Sequence, residues 1–92
     1  MILYESMTPS DLAGILTHGA RTAILKLTVE WQTASEGYFK SSAVEFIIAQ
    51  YRDSNGESLL CEKTYHAKKK VRAGWINTYR LTPLGLQVQQ AL

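Results

Sequence analysis

Lys63, Lys68, Lys69, Lys70, Arg72 and Arg80 are the basic residues of the segment from Lys63 to Leu92, which holds no Asp or Glu. The sixty-two residues before it carry eight acids against four bases, so a formal net charge of +2 conceals a chain divided into an acidic part and a basic one. Lysine and arginine at this density offer positive charge and N–H donors, and segregated charge of this kind makes a polyanion the first partner to consider.

Other chemistries find little support. Cys61 is the single cysteine and His18 and His66 are the two histidines, so neither an internal disulfide nor a Cys/His metal cage is available. There is no glycine-rich phosphate loop, no nucleophile elbow and no pair of carboxylates in an apolar setting, which argues against an enzyme and against a cofactor. Cys61 reads as a small core hydrophobe, with a redox-sensing thiol beside the lysines as the alternative. Tyr65, Tyr79, Trp31 and Trp75 read as core aromatics before they read as base-stacking platforms.

The elements that must position the basic residues belong to one domain spanning residues 1–92, with hydrophobic residues at 46% and charged ones at 20%. A chain this small buries roughly 60–65% of its extended surface, which makes a second copy a natural source of stability. The start, Met1 to Glu5, has no basic region followed by an apolar stretch, and no window approaches the ~18 apolar residues of a membrane span. A cytoplasmic protein is therefore expected.

Thr8-Pro9-Ser10-Asp11 predicts a helix start, with Leu12, Ile15 and Leu16 on one face and Gly19 as its stop. Thr22 to Thr33 is ambiguous: Ile24, Leu27, Thr28 and Trp31 fall at helical spacing, while Leu25, Leu27, Val29 and Trp31 alternate as in a strand. Ala34 to Gly37 reads as a loop. Ser41-Ser42 caps a helix from Ala43 to about Tyr51; alternatively, Asp53 to Gly56 is a hairpin turn whose strands are Phe46 to Tyr51 and Ser58 to Lys63. From residue 59 to 73 a helix would align Leu60, Thr64, Ala67 and Val71, turn the lysines outward and end at Gly74. Trp75 to Leu81 reads as extended, and Thr82-Pro83 starts a last helix with Leu84 and Val88 on its apolar stripe.

A basic helix followed by Gly74-Trp75-Ile76, and then by Tyr79-x-Leu81-Thr82-x-x-Gly85 leading into a terminal helix, resembles the end of a winged helix-turn-helix domain. The likeness is to repressors of the multiple-antibiotic-resistance and phenolic-acid-responsive types, and it covers residues 58–92. It implies a mainly α fold with a small β-wing, shortened to Gly74–Leu81 because only Asn77 and Thr78 separate the two patterned segments.

The resemblance further implies a recognition helix over residues 59–73 that binds double-stranded DNA. Lys63, Thr64 and His66 would reach base edges, Lys68, Lys69, Lys70 and Arg72 would grip phosphate, and Arg80 would reach the backbone or minor groove. A homodimeric transcriptional regulator of bacterial, phage or plasmid type follows, with the N- and C-terminal helices at the dimer contact; no small-molecule effector is inferable. The competing reading is a β-rich, sandwich-like or α+β interaction module that binds a protein and not DNA.

Overall fold

The computed structural model of the chain describes residues 3–65 and 76–92. After a 3₁₀ turn at Tyr4–Ser6, helix α1 (Pro9–Ile15) begins at Thr8, whose hydroxyl accepts from the Asp11 amide at 3.1 Å while the Asp11 carboxylate accepts from the Thr8 amide. Leu16 is extended, and Thr17 caps a second helix, α2 (His18–Lys26), by accepting from the Ala20 amide. Gly19, expected to stop the first helix, is instead the second residue of α2, because a fresh cap at Thr17 restarts the helix before it.

The ambiguous stretch divides at Lys26. Beyond it the chain leaves the helix and bends at Val29 and Glu30, and Gln32 forms an isolated antiparallel bridge with Tyr79. The expected loop at 34–37 is a helical turn, α3 (Ala34–Gly37), closed by reciprocal bonds between Thr33 and Glu36. Helix α4 (Ser41–Gln50) follows and buries Val44, Ile47 and Ile48. The Asp53–Gly56 turn forms as expected, with Asp53 accepting from the Asn55 and Glu57 amides and Gly56 at φ 79°. Its upstream flank is α4, so the strand reading of residues 46–50 is overturned.

The helix expected over residues 59–73 is also corrected where the structure describes it. Cys61–Tyr65 is strand β1, paired antiparallel with strand β2 (Asn77–Leu81) from Cys61↔Leu81 to Tyr65↔Asn77. The backbone around Leu60 bonds to distant parts of the chain, which precludes helical i to i+4 bonding there. The Leu59 amide donates to the Tyr51 carbonyl, and the Leu60 carbonyl accepts from the Thr82 amide at 3.0 Å. Residues 66–73 of the expected helix, with Gly74 and Trp75, lie outside the described residues. The shortened wing is corrected too, since the returning strand pairs with residues upstream of the whole Lys68–Arg72 run.

Helix α5 (Pro83–Gln90) starts where the sequence places it, with Thr82 accepting from the Gly85 amide. It packs on α1, α2 and β2, while α4 lies against α2 and β1. Leu12, Ile24, Leu27, Val44, Ile47, Leu60 and Val88 form the fully buried centre. The Gln89 side-chain amide donates to the Ile24 and Leu27 carbonyls at 2.8 Å each, satisfying the open end of α2. Among the described residues, five α-helices and a two-stranded antiparallel sheet thus make an α+β fold, with no sandwich.

Candidate nucleic-acid interface

Alternation along paired strands decides which of the expected contact residues share a surface. Lys63 faces across to Tyr79, and Arg80 faces across to Glu62, so Lys63 and Arg80 project from opposite faces of the ribbon. Each already has an acidic partner. The Lys63 ammonium sits 2.8 and 3.0 Å from the two Glu45 carboxylate oxygens on α4, and the Tyr79 hydroxyl donates to the same carboxylate at 2.9 Å. The bond from Lys63 holds the Glu45 carboxyl below its ordinary pKa, against the opposing effect of burial and with help from Tyr79.

Arg80 donates to Glu62 at 3.2 Å, and its guanidinium lies 4.3 Å from the centre of the Trp31 ring. It latches the bent 28–32 segment to the sheet, where the Thr28 carbonyl also accepts from the Leu81 amide. Thr64 is half-buried, and its carbonyl accepts from the Thr78 hydroxyl. Lys63 and Thr64 are therefore strand residues built into the sheet, not residues near the start of a helix, while Arg80 lies on the returning strand where the sequence places it. His66, Lys68, Lys69, Lys70 and Arg72 lie outside the described residues, in the segment that connects the paired ends Tyr65 and Asn77.

Sequence reasoning missed the turn between α3 and α4. Lys40, Ser41 and Ser42 are exposed there, Phe46, Ala49 and Gln50 are exposed further along α4, and Lys40 provides no side-chain cap for the helix. The Thr33-x-x-Glu36 pattern, a capping-box signature, is the signal that would have located this turn. Beside it, a cleft of about 250 Å³ opens between α2 and the start of α4, lined by His18, Thr22, Lys26, Phe39 and Lys40 among others.

Cys61 is buried, and burial pushes its thiol up to about 12, with Glu45 and Glu62 adding to the effect, so it is not a thiolate at neutral pH. Among the described residues, no three His, Cys, Asp or Glu side chains gather as metal ligands, and no helix is long and apolar enough to cross a membrane. Comparison of the chain with protein-family models, with curated proteins and with solved structures finds no match in any of the three.

Proposed function

We propose that this chain is a small winged-helix DNA-binding protein acting as a transcriptional regulator, with α4 as the helix that enters the major groove and the β1–β2 ribbon as its wing. The observation that carries the reading is the register from Cys61↔Leu81 to Tyr65↔Asn77. It makes the start of the acid-free run one strand of a ribbon against α4, and leaves Lys68, Lys69, Lys70 and Arg72 in the segment joining the two strands. The order of elements supports the same reading: α2, the bridging residue Gln32, α3, a tight turn, α4, then β1 and β2, with Gln32 and β1 on opposite edges of β2.

In this reading the residues of the connection grip phosphate and α4 supplies groove contacts. A dimer through the side formed by α1 and α5, near the exposed Ile15, Leu25 and Leu92, belongs to the same proposal. Fluorescence anisotropy with a labelled mixed-sequence duplex tests it. Binding at low salt, weakened by replacing Lys68, Lys69 and Lys70 with Ala, is expected; absence of binding, or binding indifferent to those substitutions, overturns the DNA-binding reading.

A further inference from the structure

Tyr38 is the described non-glycine residue with a positive φ (56°), and it is 83% exposed. A bulky side chain in the left-handed region is disfavoured, and a helix C-terminus normally puts glycine there. A glycine is present one position earlier, and packing holds it there: a Cβ on Gly37 would lie 2.5 Å from the Phe39 ring. The turn is fixed from both sides. The Tyr38 amide donates back to α3, the Phe39 amide donates to the Ala34 carbonyl at 3.1 Å, and Phe39 is buried edge-on to Tyr79 at 5.7 Å.

The fold thus fixes the direction of Tyr38 but makes no use of its ring, and the hydroxyl has no hydrogen-bond partner among the described residues. Strain that the surroundings hold in place, at a side chain the core does not need, points to a role outside the core. The residues that follow it towards α4, Lys40, Ser41 and Ser42, are exposed donors at the end of the helix where a helix-turn-helix meets DNA.

We infer that Tyr38 is a duplex-contacting residue, directed outward by its fixed backbone turn so that its hydroxyl donates to a phosphate oxygen beside the groove that α4 enters. This inference rests on the DNA-binding reading above. The backbone at Tyr38 is set before binding, so the direction of its Cα–Cβ bond is fixed in advance and only the side-chain torsions are ordered by the contact. Tyrosine is among the side chains that contact backbone phosphate in protein–DNA interfaces, and a hydrogen bond to a charged group corresponds to roughly ten- to hundredfold in affinity.

The test compares wild type, Tyr38→Gly and Tyr38→Phe by duplex anisotropy at fixed salt and by thermal denaturation. Tyr38→Gly removes both contact and strain, so its affinity should fall at least about tenfold while its melting temperature stays level or rises. Tyr38→Phe, which keeps the ring and the strain, should lose affinity at unchanged melting temperature. Wild-type affinity in Tyr38→Gly, or loss of binding only in step with loss of folding, overturns the inference while leaving the DNA-binding reading intact. Failure of wild type to bind any duplex overturns both.

Discussion

Gly85 is set by a backbone approach. A Cβ at this position would stand 1.9 Å from the Leu60 carbonyl oxygen, because α5 crosses directly over that peptide. Gly85→Ala must push the helix off the sheet and should destabilise the protein by about 3 kcal/mol, a fall in melting temperature of at least ~12 °C. Gly19→Ala is the control: nothing lies within 4 Å of its Cβ, so the protein should be level or gain up to about 1 kcal/mol. Glu45 gives a pH-dependent counterpart. Its folded pKa lies below the ordinary glutamate value, so the stability it contributes is present above that value and is lost as pH falls through the folded pKa. The pair with Lys63 is partly exposed and amounts to no more than about 1 kcal/mol. The melting-temperature difference between wild type and Glu45→Gln should therefore be a few degrees near neutrality and vanish in acid; a difference that persists at low pH would show that Glu45 acts by another route.

At the scale of elements, the Tyr79, Leu81, Thr82 and Gly85 pattern was legible, and each residue has a structural task. Tyr79 reaches Glu45, Leu81 is buried, and Thr82 donates to the Leu59 carbonyl while capping α5 at Gly85. Thr82→Ala removes both bonds from a buried site and should cost about 1.5 kcal/mol, or a melting temperature lower by roughly 6–12 °C. Thr82→Ser, which keeps the hydroxyl, should retain most of the stability. The helix starts at Thr8 and Thr82 were legible because a cap followed by proline is a local signal. The strand at Cys61–Tyr65 was legible only in part, as the Ser58 to Lys63 arm of the alternative hairpin, since Leu60 and Thr64 stand four apart, and a spacing of four is also twice the strand period of two. That stripe fits either structure, and the backbone bonds from Tyr51 and Thr82 that decide the matter come from residues far along the chain. The α3–α4 turn stayed hidden for a different reason: a four-residue helix has no apolar periodicity to read, only its capping box.

Across the whole molecule, folding redistributes the charge segregation of the sequence. Among the described residues, both bases after Glu62 are matched by acids from the acidic part of the chain, Lys63 by Glu45 and Arg80 by Glu62. Lys68, Lys69, Lys70 and Arg72 lie outside the described residues, in a stretch with no acid in its sequence. If the proposed wing grips DNA, those four should carry the electrostatic part of binding. Each phosphate neutralised on duplex DNA contributes about 0.9 to the log–log salt slope. Replacing Lys68, Lys69 and Lys70 with Ala should therefore flatten the slope by roughly 2.7. Lys63→Ala frees the Glu45 carboxylate on α4, so it should weaken binding by adding a negative charge near the groove while leaving the slope within about 0.9 of wild type. Anisotropy titrations across a salt series separate the two effects. Equal flattening by Lys63→Ala and by the triple substitution would mean that the ion pair opens on binding and that Lys63 itself reaches phosphate.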